Sequence, residues 1–290
     1  MRTMRDTVVS ETGPEPPLSL PAEPRRGAGR RSTGRRSLLD RLGTAGPPAL
    51  TVLLILGLWE LASRTELVNP IVMPPPTDVA EAFVSLVQER FFWDAAGVTA
   101  WETIAGLTIG VIGAWALGTL IGLVAVARRS LYPLVIAFQT LPRVALAPLF
   151  LVWFGFGLTP RVMFAITICF FPVLISVIVG LQTVDRDAST LMRSFGASRW
   201  QVYRKLAFPS SLPIVFAGIK TAATLALIGA IVGEFVGGDR GMGVLLNSFN
   251  NQLLMGEAFA TIVALAIFGL ALYWSIEVID KKVVFWRDAG

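Results

Sequence analysis

Long apolar runs alternate with short polar segments along this chain. The first run covers residues 49–61, and others follow at 99–127, 131–156, 161–181, 212–236 and 258–279. A helix needs about 20 apolar residues to cross ~30 Å of hydrocarbon, so the pattern predicts six transmembrane helices in an all-α, polytopic membrane protein. Residues 1–48 are rich in Pro, Gly, Ser and Arg and poor in large apolar side chains. Such a segment buries too little surface to offset its ordering entropy, which predicts a disordered basic tail.

Two stretches need a closer reading. Arg35-Arg36-Ser37-Leu38-Leu39 resembles a twin-arginine export signal, but the run after it contains Glu60 and continues into Ala62-Ser63-Arg64 without a small-x-small cleavage pattern. The expectation is an uncleaved first helix with its basic flank held inside. Residues 49–98 then comprise that helix and an extracytoplasmic segment, in which Met73-Pro74-Pro75-Pro76 leads into an amphipathic stretch. Asp78 and Glu81 there have the spacing of a capping box, with Asp in place of Ser or Thr. This predicts a short helix, either lying on the outer membrane surface or simply connecting two spans.

Composition agrees with the pattern: 54% of the 290 residues are hydrophobic, 16% are charged and the mean hydropathy is +0.65, where soluble domains carry about 25% charged residues. Histidine is absent and Cys169 is the single cysteine. A disulfide framework, a Cys/His zinc site, a Ser/His/Asp triad and a Cys/His dyad are thereby excluded. The formal charge of +5 is explained by topology, with no need for a nucleic-acid partner. If the amino terminus is inside, 19 of the 25 Lys and Arg fall on inner segments. Arg64, Arg90, Arg161 and Arg240 fall outside, and Arg143 and Lys220 fall within spans. That bias predicts both termini in the cytoplasm, with residues 281–290 as the cytoplasmic C-terminus.

The inner loop at 183–211 is too long for a bare connection. Leu191 and Phe195 are spaced i, i+4, and Trp200, Tyr203 and Ala207 recur at helical spacing, while Arg193, Arg199, Arg204 and Lys205 occupy other faces. Gly196 divides the two stretches, and Pro209 with Pro213 is expected to end the second. Two short helices around a glycine turn, basic outside and aromatic inside, would form a docking knob; a helix pair lying on anionic lipid has the same pattern.

The segment Leu191-Met192-Arg193-Ser194-Phe195-Gly196-Ala197-Ser198-Arg199-Trp200-Gln201, with Phe208-Pro209 and Leu212-Pro213, resembles the EAA loop of permease subunits in binding-protein-dependent ABC importers. The resemblance covers roughly 99–280 and implies a type I importer transmembrane domain whose coupling helices fit a groove of a cytoplasmic ATPase. Arg193, Phe195, Gly196, Ala197, Ser198, Arg199, Trp200, Tyr203, Pro209 and Pro213 would form that coupling loop. Thr190-Leu191-Met192 stands where the family has Glu-Ala-Ala, leaving Arg193 and Arg199 as the charged anchors. Leu141-Pro142-Arg143-Val144-Ala145-Leu146-Ala147-Pro148-Leu149 and Trp153-Phe154-Gly155-Phe156-Gly157 are similar to the nitrate, sulfonate and taurine permeases. The glycine-rich run from Gly233 to Gly243 resembles the branch serving thiamine-pyrimidine precursors. The implied partners are ATPase subunits carrying ATP and magnesium, an external solute-binding protein, a second permease copy and membrane lipid in a bacterial plasma membrane.

Three residues are pathway candidates: Pro142, Arg143 and Glu234. An ionisable group at span depth costs at least ~2.5 kcal/mol unless it faces a cavity or partner. Pro142 and Pro148 free backbone carbonyls around Arg143, suggesting a broken helix lining a path; an arginine snorkelling to the headgroups is the alternative. Glu234 lies near an outer helix end and Lys220 near an inner one, where water and snorkelling would suffice. Gly106, Gly110, Gly118 and Gly122 give GxxxG spacing twice, for close helix packing. Gly218-Ile219-Lys220-Thr221 has the wrong order for a Walker A loop, so the chain has no nucleotide site of that kind. A secondary transporter driven by an ion gradient is the rival reading, and it needs intramembrane carboxylates, for which Glu234 is the late-span candidate.

Overall fold

The computed structural model describes residues 38–65, 67–69 and 71–286, with side chains from Leu50 onward. The chain divides into two compact units, Met1–Thr51 and Val52–Gly290. Of the first, only residues 38–51 are described, all within helix α1 (Leu38–Arg64). The expected tail at 1–48 lies outside the described residues up to 37, and its last residues, 38–48, belong to helix α1.

The second unit is all helix among the described residues. It contains the end of α1, then α2 (Pro76–Gln88), α3 (Arg90–Leu123), α4 (Ala125–Gln139), a 3-10 turn (Arg143–Leu146), α5 (Ala147–Phe154) and α6 (Leu158–Gln182). After these come α7 (Arg186–Ser194), α8 (Arg199–Val202), a π turn (Tyr203–Ala207), α9 (Phe208–Gly237), α10 (Met242–Asn251) and α11 (Met255–Val283). Four helices are long and apolar enough to span a membrane: α3, α6, the continuous rod Arg199–Gly237, and α11. The expected third span, where Pro142 and Pro148 suggested a broken helix, is a pair of helices, Ala125–Gln139 and Arg143–Phe154, bent by 86°. Pro142 at the break lacks an N–H and disfavours helical geometry in the residue before it, which weakens the helix at that point. Helix α1 is not among the apolar spans; its apolar run of 49–61, which includes Glu60, rises only ~20 Å. Helix α11 continues past the expected end at 279, and residues 287–290 lie outside the described residues.

The core is α6 sandwiched between α3 and α9. The α3 glycines make this possible. A Cβ at Gly106, Gly110, Gly118 or Gly122 would come within 2.6–2.8 Å of Ala165, Cys169, Val177 or Leu181. Each pair is offset by the same 59 positions, so α3 and α6 run parallel, in close contact along their length. On the other face the order reverses: Gly218, Gly229 and Gly233 of α9 meet Ser176, Ala165 and Arg161 in turn, which makes α6 and α9 antiparallel.

Helix α2 packs against α11, burying Val79 and Leu86. The expected Asp78 capping box does not form: the residue before the helix is Pro75, which has no side-chain acceptor. Glu60 of α1 takes over, accepting from the Thr77 amide at 3.2 Å and the Thr77 hydroxyl at 2.9 Å, while Arg64 donates to it at 2.5 Å.

Candidate functional site

The loop between α6 and α9 folds as two short helices about one left-handed residue. Asp185 caps α7, accepting from the amides of Asp187 and Ala188. Gly196, at φ 81°, ends that helix, its amide donating to Arg193 O and the next amide, of Ala197, to Met192 O. This is the Schellman pattern, in which a glycine at the left-handed position allows the last carbonyls to be satisfied. Ser198 then starts α8 through a reciprocal capping box with Gln201, a Ser-x-x-Gln signal present in the sequence but not used in reading it.

The apolar side chains point outward, contrary to the sequence expectation of an aromatic interior. Phe195 is 83% exposed, Trp200 65% and Leu191 58%. Helices this short have too little interior to hold them. Tyr203 is half-buried and links the loop to the bundle: its ring lies 5.3 Å from Trp200 and 6.0 Å from Phe208, which in turn lies 5.5 Å from Trp115 of α3. Beside the loop opens a cleft of about 970 Å³ lined by Arg128, Arg186, Arg193 and Arg199, with no acidic residue on its wall. Pro209 and Pro213 do not end the second helix. Pro209 sits in the first turn of α9 and Pro213 inside it, and the π turn at Tyr203–Ala207 carries the backbone through. A wider turn accommodates the proline rings where the regular ladder would fail.

The candidates at membrane depth separate into three places. Arg143 lies at the break between α4 and α5, donating to Ile168 O and Gln139 O, both at 3.2 Å, with its guanidinium 4.9 Å from the Phe171 ring centre. Pro142 forms the break itself. Glu234 is 2% exposed, so it is not wet: it accepts from the Thr99 hydroxyl at 2.6 Å and from the Gly243 amide at 2.5 Å. Lys220 does not snorkel. It is buried between Asp280, at 2.6 Å, and Glu277 of α11.

Close to Glu234, Arg161 joins Glu102 at 2.8 Å and Asp239 at 2.7 Å and donates to Arg240 O at 2.9 Å. Sequence reasoning counted Arg161 as an outer-loop charge and passed over Glu102. An acid three residues into an apolar run carried the signal. Asp239, in the turn after α9, is held below the usual aspartate range by its own backbone amide, with the Arg161 guanidinium adding to the effect. Gly241 (φ 125°) and Gly243 belong to the same construction: a Cβ at either would come within 2.2 or 2.7 Å of the Glu234 carboxyl. The turn is glycine-rich because Glu234 fills the space.

Comparison with known proteins agrees with this architecture. The family described as "Binding-protein-dependent transport system inner membrane component" matches residues 106–285. The chain is 30% identical to the formylaminopyrimidine transport permease protein ThiX of Halalkalibacterium halodurans, over 83% of this chain and 95% of the relative. It is 32% identical to the riboflavin transport system permease protein RibX of Chloroflexus aurantiacus (82% and 89%). With the taurine transport system permease protein TauC of Escherichia coli it shares 25% (82% and 88%). Its fold matches a chain of the MetNI methionine ABC transporter in an inward-facing conformation with a TM-score of 0.53 at 19% identity, over 63% of this chain and 93% of that one. With a bundle of parallel and antiparallel helices, and a family match over residues 106–285, the chain belongs to the binding-protein-dependent inner membrane components and is an ABC importer permease.

Proposed function

We propose that this permease works in an ATP-driven importer, docking separate cytoplasmic ATPase subunits through the α7–Gly196–α8 loop. The observation carrying this reading is the loop itself: three large apolar side chains held in water by two well-capped helices, beside arginines with no acidic wall. A permease placing Phe195 and Trp200 into a partner's groove would bury surface that is otherwise costly to expose. Arg193 and Arg199 flank the apolar contacts and would pair with acids on the partner. Two copies would enclose the path, six helices each, with both termini and the loop on the cytoplasmic side. An external binding protein would deliver a small solute of the kind handled by the relatives, a pyrimidine precursor, a flavin or a sulfonate. The chain's own residues would transmit movement, and ATP with magnesium would belong to the partner.

The test is ATP-dependent uptake into proteoliposomes holding the whole complex, comparing wild type with Gly196→Asp. A side chain at φ 81° is strained, so the turn between the coupling helices should be disturbed and uptake should fall at least tenfold. Uptake at the wild-type rate would overturn the role given to the loop.

A further inference from the structure

The three basic side chains at depth are not alike. Arg161 is neutralised by Glu102 and Asp239, and Lys220 by Asp280 and Glu277. Arg143 forms an ion pair with no carboxylate among the described residues. Its two recorded acceptors are neutral carbonyls, Gln139 O and Ile168 O, and its flat face rests on Phe171. A guanidinium has five N–H donors in a fork suited to planar or tetrahedral oxyanions. Carbonyl oxygens and a ring face orient such a group without cancelling its charge.

The depth of the group is fixed by what it touches. Ile168 is the eleventh of the 25 residues of α6, about 15 Å from one end of the helix and 21 Å from the other. Headgroup snorkelling is therefore not what places Arg143. Next to it lies a cavity of about 370 Å³, whose walls include Gln139, Arg143, Phe171, Ser176, Gly218 and Thr221. Gly218 and Thr221 are the eleventh and fourteenth of the 30 residues of α9, so that wall too is mid-helix. At Gly218 a Cβ would come within 2.2 Å of the Ser176 hydroxyl, so the glycine leaves room for a polar group inside an otherwise apolar wall. The Gln139 amide and Ser176 hydroxyl add neutral donors to the arginine. No acidic residue lines the cavity.

We propose that this cavity is an anion-binding subsite of the permease itself, in which Arg143 receives the sulfonate or carboxylate group of the transported solute midway across the membrane. The 86° break after α4 is what places the guanidinium there, since a straight helix would carry residue 143 further along its own axis. The Phe171 ring and the two carbonyls fix the guanidinium at the cavity wall, and its remaining N–H groups are the donors an anion would meet. A low-dielectric site with an uncompensated cation favours an anion over a neutral molecule of the same shape. This proposal rests on reading the chain as an importer permease.

Methanesulfonate and its neutral near-isostere dimethyl sulfone separate charge from shape. Each gives one methyl signal in saturation-transfer difference NMR, a method suited to weak sites. The permease assembled with its ATPases in nanodiscs should give transfer to methanesulfonate and at least tenfold less to dimethyl sulfone. Arg143→Met should remove the difference, and Arg143→Lys should keep part of it, because charge survives and the fork does not. Equal transfer to both probes, no transfer to either, or an unchanged preference in Arg143→Met would each overturn the subsite. A wild-type complex that hydrolyses ATP yet ignores methanesulfonate sinks the subsite and leaves the importer reading standing. Failure of the wild-type chain to hold any ATPase subunit would sink the importer reading, and with it the subsite.

Discussion

Arg161 and Glu102 meet at 2.8 Å in the interface between α3 and α6, and they are separated by the same 59 positions as the glycine contacts of that interface. The ion pair therefore sits on the register that the small residues set, and the two features fix one alignment of parallel helices.

Removing Arg161 leaves the buried Glu102 carboxylate uncompensated, which typically costs about 3–5 kcal/mol, whereas removing Glu102 leaves Arg161 only its Asp239 partner. Arg161→Met and Glu102→Gln should each lower the thermal unfolding temperature of the purified permease markedly. The double variant should lose clearly less than the two single losses combined, because neither charge is then stranded. Strict additivity would show that the two side chains do not act on each other.

Gly110 tests the packing half of the same interface. Its Cβ would come within 2.6 Å of Cys169 Sγ, and overfilling a close-packed site costs about 1–3 kcal/mol. Gly110→Ala should therefore destabilise, and adding Cys169→Ala should restore much of the loss by removing the sulfur. Unfolding in a denaturant series would show whether the second substitution rescues the first.

Between α9 and α10, Gly241 and Gly243 face one carboxyl for different reasons. In a Glu234→Ala background the cost of Gly243→Ala should shrink, since its nearest neighbour is the Glu234 Oε2 atom at 2.7 Å. Gly241→Ala should remain costly in that background, because φ 125° is strained for any side chain. Melting curves of the four variants separate steric from backbone strain.

In the α7–α8 loop, Phe195→Ser and Trp200→Ser should each reduce co-purification of the ATPase subunits about tenfold, while leaving the permease melting temperature within a degree or two. Their high exposure means that neither substitution opens a cavity. A large fall in melting temperature would show that these rings support the permease fold itself.

The apolar spans and the two-part loop were readable because run length, charge bias and helical spacing are local properties of the chain. Pairings between spans were not. Lys220 was read as snorkelling because Asp280 lay just beyond the expected end of the last span, 60 positions away in sequence. Glu234 was read as wet because nothing local reveals that Thr99, 135 positions earlier, donates to it. The break after Gln139 was legible from Pro142 and Pro148, but its 86° angle was not, because apolar residues continue on both sides of it.

One consequence concerns leverage. From Arg199 to Gly237 the backbone is a single helix of 39 residues, about 58 Å at 1.5 Å per residue. A tilt of about five degrees about one end displaces the other by about 5 Å over that length. The half of the loop that begins at Ser198 is thus the short arm of a shaft whose far end carries Glu234, and a push on Trp200 needs no relay of side chains to be felt beneath the turn at 238–241.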